Sequence, residues 1–231
     1  MISAGGTEIG RRYRANFDVL RIERDPPLAV VADGMGDSEG SAVAARTAVD
    51  VFVENLTGTD PTTLRHAVAE AQRRVRAAGA RIAGLTGCTL TAFVPTGLGD
   101  AWIAQVGDSR VYRYRAGLLE LLTVDHTEAW LGAVHGWYPA DSPQAAAARY
   151  HLHRYIGHPE HPEPDLLNVA LRRGDVFCVC TDGLAEQVPY RRLRQVLGSA
   201  ATPDEQVALL LADSLAAGGH DNATVAVLQV D

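Results

Sequence analysis

Four aspartates of this sequence stand where an apolar run of the chain meets a turn. Asp33 and Asp182 each follow a predicted strand and precede a glycine, Asp108 follows Gly107, and Asp221 opens the segment that leads into the last strand. Because the chain contains no lysine, carboxylates gathered at neighbouring strand ends would repel one another unless a cation lay between them. The pattern favours a divalent-metal site, although each Asp-Gly dipeptide on its own is also typical of a turn.

The charge and composition argue against several classes of protein. The 231 residues include 28 Asp and Glu against 21 Arg, a net charge of −7, which offers no overall basic field for nucleic acid. The longest apolar stretches, such as 28–32 and 207–212, are far shorter than the roughly 20 residues that span a bilayer. Residues 1–10 lack the basic start and apolar stretch of a secretory signal. We therefore expect a cytoplasmic protein with neither nucleic acid nor membrane as a partner.

The elements that would position these aspartates follow from the periodicity of the apolar residues. Residues 19–22 and 28–32 are predicted as a β-hairpin, and two helices are predicted over 41–56 and 60–82. Four strands within 88–123 are predicted as an antiparallel meander. Later strands are expected at 169–171, 175–180 and 223–230, with helices at 191–197 and 204–217. No linker or repeat divides the chain, which predicts one domain of helices and antiparallel sheet.

The segment 125–164 is the least regular part of the chain. It carries six of the eight histidines and several prolines, and long insertions between elements are often functional lids. We consider three roles for the histidines: a solvated or locally hydrogen-bonded flap, contact with a substrate, or a separate metal site built on His151 and His153.

Seven short blocks follow one another along the chain. They are Asn16-Phe17-Asp18, Ala32-Asp33-Gly34-Met35-Gly36, Gly87-Cys88-Thr89-Leu90, Val106-Gly107-Asp108-Ser109-Arg110, Leu122-Thr123-Val124-Asp125-His126-Thr127, Thr181-Asp182-Gly183 and Gly219-His220-Asp221-Asn222-Ala223-Thr224. Their order resembles that of the metal-dependent serine/threonine protein phosphatase (PPM, or protein phosphatase 2C-like) family of bacterial type. The resemblance extends from about residue 10 to residue 230.

The resemblance implies a fold and a set of site residues. The fold would be α+β, a four-layer αββα sandwich in which helices flank two antiparallel sheets, formed by one catalytic domain over 1–231 with a flap at about 125–164. The cofactor would be Mn²⁺ or Mg²⁺, with two ions and a third, weaker one. Asp33 would bridge the two metals, and the other predicted metal-binding residues are Gly34 through its carbonyl, Asp182, Asp221, Asp18 through a water molecule and, for the third ion, Asp125.

The implied reaction is hydrolysis of phosphoserine and phosphothreonine in proteins by a two-metal-activated water. Two divalent ions about 3.5–4 Å apart lower the pKa of a shared water and neutralise charge on the phosphoryl oxygens. The catalytic residues would be Asp33, Asp182, Asp221 and Asp18, and the substrates would be phosphoproteins of serine/threonine kinases. The sequence has neither a Cys-x₅-Arg loop nor an Asp-x-Asp pair that would supply a side-chain nucleophile.

Three positions depart from the family pattern. Phe17 stands where relatives commonly have Glu, Ser38 stands where bacterial relatives usually have His, and Tyr13 occupies the place of a phosphate-binding Arg. Arg12 and Arg14 flank that place, and either could grip phosphate bidentately. These departures favour one alternative to a general phosphatase, a regulatory pseudophosphatase that binds a phosphoprotein without turnover. A second alternative is an enzyme dedicated to one phosphoprotein.

Overall fold

A computed structural model describes all residues 1–231. It contains two five-stranded antiparallel sheets and seven helices. The strands are β1 (Ile2–Glu8), β2 (Asp18–Arg24), β3 (Pro27–Asp33), β4 (Leu90–Pro95), β5 (Asp100–Val106), β6 (Arg110–Arg115), β7 (Leu118–Leu121), β8 (Asp165–Ala170), β9 (Val176–Cys180) and β10 (Ala223–Gln229). The helices are α1 (Glu39–Asn55), α2 (Pro61–Gly79), α3 (Glu128–His135), α4 (Pro143–Ala148), α5 (Asp182–Ala185), α6 (Tyr190–Leu197) and α7 (Pro203–Ala216).

Three hydrophobic clusters define four layers. The first sheet, in the order β2-β3-β4-β5-β8, packs on α1 and α2 through residues that include Val30, Phe52 and Val68. The second sheet, β1-β10-β9-β6-β7, packs on α5, α6 and α7. Between the sheets, Phe93 and Phe177 meet with ring centroids 4.5 Å apart. The predicted four-layer αββα sandwich is confirmed, because each sheet buries one face on the other sheet and one face on helices.

The predicted meander over 88–123 is wrong, because its strands divide between the two sheets. β4 and β5 pair in the first sheet, whereas β6 pairs with β7 and β9 in the second. The turn at residues 107–109 carries the chain from one sheet to the other. Alternation of apolar residues indicates a strand, but it does not say which sheet the strand joins.

The strand β1 was not expected from the sequence. It pairs with β10 along its whole length, although its glycines disfavour a strand. The packing explains the glycines: a Cβ on Gly5 would lie 2.5 Å from Cδ1 of Ile22, and a Cβ on Gly6 would lie 2.8 Å from Cδ1 of Leu211. The strand is thus pressed between the first sheet and α7, where glycine fits on both faces.

None of the helices combines the length and the apolar character that crossing a membrane requires.

Candidate active site

A pocket of about 250 Å³ lies at one end of the two sheets. β3, β5 and β9 end there and β10 begins there, so the antiparallel topology brings the four predicted aspartates to the same edge. The residues that line the pocket are Tyr13, Asp33, Met35, Gly36, Leu85, Thr89, Asp108, Tyr150, Leu152, Asp182 and Asp221.

Asp18 and Asp33 face each other across the β2–β3 pair. The hydroxyl of Thr181 donates to Oδ2 of Asp18 over 2.8 Å, while Oδ1 of Asp18 is buried without a hydrogen-bond partner. The backbone N–H of Asp33 donates to Oγ1 of Thr89 over 2.9 Å, and the N–H of Thr89 donates to the carbonyl of Asp33 over 2.8 Å. Two sheets therefore contribute to the position of these carboxyls, Thr181 coming from the second sheet and Thr89 from the first.

Gly34 is fixed directly beside Asp33. Its N–H donates to the carbonyl of Phe17 over 3.1 Å, and a Cβ at this position would lie 2.5 Å from the carbonyl oxygen of Ser41. No larger residue fits here without moving the start of α1, so the close approach explains the glycine.

Asp182 and Asp221 come together through tight backbone packing. Asp182 begins α5, and its Oδ1 is buried without a hydrogen-bond partner. A Cβ on Gly183 would overlap the carbonyl oxygen of Asn222, so only glycine allows α5 to approach β10. The N–H of Asn222 donates to Oδ1 of Asp221 over 2.7 Å.

The turn that carries Asp108 is built on a glycine with an unusual backbone. Gly107 has φ +109°, and a Cβ there would lie 2.6 Å from Cγ2 of Thr89. The side chain of Gln105 donates to the carbonyls of Gly107 and Ser109, each over 3.2 Å. Asp108 thereby projects from a buried, hydrogen-bonded turn into the pocket.

Asp125, which the resemblance assigned to the third metal, has a different environment. Its carboxylate accepts a bidentate pair from Arg110, with Nε–Oδ1 at 2.9 Å and Nη2–Oδ2 at 2.6 Å. Asp125 does not line the pocket, whereas Asp108 does. The structure therefore brings Asp108, and not Asp125, to the pocket, and the strand-end pattern of the sequence also singles out Asp108.

The pKa values of all five carboxyls are raised. Burial is the main cause in each case, and neighbouring carboxylates add to it. The pKa of Asp18 rises to about 7 and that of Asp221 to about 6. The pKa values of Asp33 and Asp108 lie well above the ordinary range, and that of Asp182 is raised. At neutral pH the cluster must hold protons or a cation.

The donor set fits hard divalent cations. Every candidate ligand is an oxygen, and two carboxylate oxygens, one on Asp18 and one on Asp182, are buried without a hydrogen-bond partner. The structure contains no group of three His, Cys, Asp or Glu side chains that is arranged to hold a metal ion as it stands. The fit rests on the chemistry of the donors and on the two unpaired oxygens.

The loop 9–17 places Tyr13 at the pocket and Arg12 next to Tyr13. The side chain of Asn222 donates to the carbonyls of Ile9 and Ala15, which anchors the loop to β10. Tyr13 lines the pocket, and the Arg12 guanidinium lies 5.9 Å from the centroid of its ring. Burial raises the pKa of Asp221, and the charge of Arg12 acts in the opposite direction.

Arg12 and Arg14 are both exposed, and neither lines the pocket. Of these two predicted phosphate-binding arginines, Arg12 is the one whose charge acts on Asp221 and whose guanidinium lies beside the Tyr13 ring.

Two of the departures from the family pattern have structural roles in this chain. The N–H of Phe17 donates to Oδ1 of Asn222 over 2.8 Å, and its ring meets Tyr13 edge-on at 6.1 Å. Ser38 is the N-cap of α1, where its N–H donates to Oγ of Ser41 over 3.3 Å.

The segment 125–164 contributes one wall of the pocket through Tyr150 and Leu152. His126 connects the start of this segment to the turn that carries Asp108, because its Nδ1 accepts from the N–H of Gly107 over 3.0 Å. Its Nε2 lies 3.2 Å from Oδ2 of Asp165. His151 pairs with Glu128 at the surface. The two histidines thus engage in local hydrogen bonds.

Comparisons with known proteins agree with this geometry. The profile of the protein phosphatase 2C family matches residues 16–199. The serine/threonine phosphatase stp of Listeria monocytogenes is 29% identical, with 97% of this chain and 94% of the relative covered. The serine/threonine protein phosphatase PstP of Mycobacterium tuberculosis is also 29% identical, with 88% of this chain and 40% of the relative covered.

Solved structures extend the likeness to the fold. The PPM Ser-Thr phosphatase MsPP of Mycobacterium smegmatis, in complex with cacodylate, has a TM-score of 0.88 at 28% identity, covering 100% of this chain and 99% of its own. The catalytic domain of PstP in complex with two manganese ions has a TM-score of 0.87 at 27% identity, covering 100% and 98%. The profile match spans most of the sequence and the predicted resemblance is confirmed: the chain belongs to the protein phosphatase 2C family of protein serine/threonine phosphatases.

Proposed function

We propose that residues 1–231 form a single catalytic domain that removes phosphate from phosphoserine and phosphothreonine in proteins, using Mn²⁺ or Mg²⁺. The observation that carries the proposal is the convergence of Asp33, Asp108, Asp182 and Asp221 on one pocket, with Asp18 buried directly behind Asp33. A protein keeps so many mutually repelling carboxyls together only where a cation offsets their cost.

The proposed ligands follow from the positions of the oxygens. Asp33, which lies opposite Asp18 in the β2–β3 pair and lines the pocket with Asp182, would contribute to both ions, with the carbonyl of Gly34 beside it. Asp182 and Asp221 would hold one of these ions, and Asp18 would act through water. When bound, the ions supply Lewis-acid activation of water and neutralisation of phosphoryl charge.

For a third, weaker ion we propose Asp108 in place of Asp125. Asp108 lines the pocket and its charge interacts with that of Asp182. Asp125 is neutralised by Arg110 at 2.6 Å, and breaking that pair would leave a half-buried arginine without its partner.

The chain's own groups would orient the substrate. Arg12, with its guanidinium over the Tyr13 ring, is the cation proposed to bind the phosphoryl oxygens through its fork of donors. The side chain of Asn222 donates to the loop of Arg12 and its N–H donates to the Asp221 carboxylate, which fixes the position of the loop relative to that carboxylate. The relatives are named serine/threonine phosphatases, which supports phosphoproteins made by serine/threonine kinases as the substrate class.

The test is release of phosphate from phosphoserine and phosphothreonine peptides, in Mn²⁺ or Mg²⁺ and in EDTA. We expect turnover that requires the metal and falls at least 100-fold in Asp182→Asn, while Asp50→Asn, which changes an exposed carboxyl on α1, retains it. Folded wild-type protein that binds the metal but releases no phosphate above the EDTA control would reject the enzyme and leave the phosphoprotein-binding alternative.

A further inference from the structure

The pocket is lined by large apolar side chains as well as by carboxylates. Met35, Leu85, Tyr150 and Leu152 supply them, and we call these four residues the apolar wall. Two of them are unusually accessible for large apolar side chains, because Leu85 is 48% exposed and Tyr150 is 71% exposed. Apolar surface beside a polar site marks a place where a ligand is bound.

The backbone under the apolar wall is held in place. A Cβ on Gly40 at the start of α1 would overlap the carbonyl oxygen of Leu85, so the loop of Leu85 packs against that helix. Two residues further on, Gly87 lies against the ring of Tyr155. Cys88 and Ile156 then exchange backbone hydrogen bonds of 3.1 and 2.8 Å, which join the Leu85 loop to the segment that carries Tyr150.

The apolar wall and the carboxylates line the same pocket of about 250 Å³. In an extended peptide, consecutive residues are only about 3.3–3.8 Å apart. When a phosphorylated residue reaches the carboxylates, its immediate neighbours in the peptide are therefore also at the pocket. The side chain next to the phosphorylated residue would therefore lie against the apolar wall. An apolar side chain there would remove Leu85 and Tyr150 from water, which a polar or charged side chain would not do as favourably.

We propose that the apolar wall binds an aliphatic or aromatic side chain that flanks the phosphorylated residue, and so determines which phosphopeptides the enzyme prefers. The inference rests on the proposed function for the class of substrate. It goes further because it assigns sequence selectivity to named residues, three of which (Leu85, Tyr150 and Leu152) belong to none of the seven blocks.

Binding of two labelled peptides tests the proposal without turnover. Both contain a non-hydrolysable phosphonate analogue of phosphoserine, flanked in one peptide by Leu and in the other by Asn, which has a similar size. Fluorescence anisotropy, in Mn²⁺ and in EDTA, should show about 10-fold tighter binding of the Leu peptide. Leu85→Ala and Tyr150→Ala should each reduce this ratio to about 2, and Leu98→Ala, which truncates a 90% exposed leucine in the β4–β5 turn, should leave it unchanged.

Equal dissociation constants for the two peptides would overturn the proposal, as would a preference that survives both substitutions in the apolar wall. A concentration-dependent dimer that Tyr150→Ala dissociates would also overturn it, because a second copy would then cover the wall.

Hydrolysis of a phosphoserine amide without neighbours separates this outcome from the fate of the proposed function. If that small substrate is hydrolysed with Mn²⁺ but the two peptides bind equally, the proposed binding role of the apolar wall is wrong and the proposed phosphatase activity is supported. If the Leu peptide binds preferentially and nothing is hydrolysed, the binding role is supported and the phosphatase activity is wrong.

Discussion

Replacing Asp18 with Asn should stabilise the metal-free protein. Asp18 is 7% exposed, and one of its carboxylate oxygens has no hydrogen-bond partner. An asparagine has nearly the same shape, and its carbonyl can still accept from the Thr181 hydroxyl. Its amide group would take the place of the unpaired oxygen among the other carboxylates, so the substitution exchanges a buried charge for a neutral donor.

The raised pKa of Asp18 gives the size and the pH dependence of the effect. Burial and neighbouring carboxylates raise this pKa from 3.8 to about 7, so between these pH values the folded state binds more protons than the unfolded state. The free energy of unfolding therefore falls as the pH rises from about 4 to about 7. A shift of about three pH units corresponds to about 4 kcal/mol at pH 8, of which about 2 kcal/mol is already present at pH 5.

The assay is urea unfolding of wild type and Asp18→Asn in EDTA at pH 5 and pH 8. The variant should be more stable by about 4 kcal/mol at pH 8 and by about half as much at pH 5. Asp50→Asn, on the exposed face of α1, is the matched control and should change little at either pH. A variant that is no more stable than wild type at pH 8, or equally stabilised at both pH values, would refute the argument that Asp18 is held against an electrostatic cost.

Three further predictions concern the turn, a buried ion pair and the metal. Gly107→Ala should lower the free energy of unfolding by about 2 kcal/mol and slow turnover, since its Cβ would lie 2.6 Å from Cγ2 of Thr89 at a φ of +109°; urea unfolding measures the loss. Arg115→Gln should cost about 3 kcal/mol, because Asp175, 1% exposed, would lose its partner; Arg115→Lys should cost less in the same assay. Mn²⁺ should raise the melting temperature of wild type but not of Asp182→Asn, as differential scanning calorimetry would show.

Most of the architecture could be predicted from local patterns. The period of the apolar residues indicated α1, α2, α6 and α7, and the turn residues between 22 and 28 indicated the β2–β3 hairpin. These elements have strong local signals because each buries one regular face. The layer order came from the family resemblance, since local periodicity alone does not specify how sheets stack.

β1 and the passage between the sheets could not be predicted, for physical reasons that lie outside the local sequence. Gly5 and Gly6 give β1 no strand signal. The strand forms by pairing with β10, and glycines occupy it because Ile22 and Leu211 leave no room for larger residues. The turn at Gly107 looks like a hairpin turn in the sequence. Only the pairing of β6 with β9 shows that it connects two sheets.

The site was predictable where residue type and strand position coincide. Asp33, Asp108, Asp182 and Asp221 stand at strand ends in the sequence and line one pocket in the structure. The role of Asp125 was inferred by resemblance alone, and its pairing with Arg110 is a tertiary contact that neither spacing nor composition reveals.

The apolar wall could not be predicted from the sequence for a similar reason. Leu85 and Tyr150 are ordinary apolar residues in irregular segments, and nothing in the sequence distinguishes them from core residues. Their exposure beside the carboxylates depends on how the loop after α2 meets the segment after α4.

The most direct test of the proposed metal centre is anomalous scattering from crystals of the protein grown with Mn²⁺. Two manganese peaks are expected in the pocket lined by Asp33, Asp182 and Asp221, and none near these residues in crystals of Asp33→Asn. Well-ordered wild-type crystals at millimolar Mn²⁺ with no manganese in this pocket would contradict the claim that these carboxylates form a metal centre.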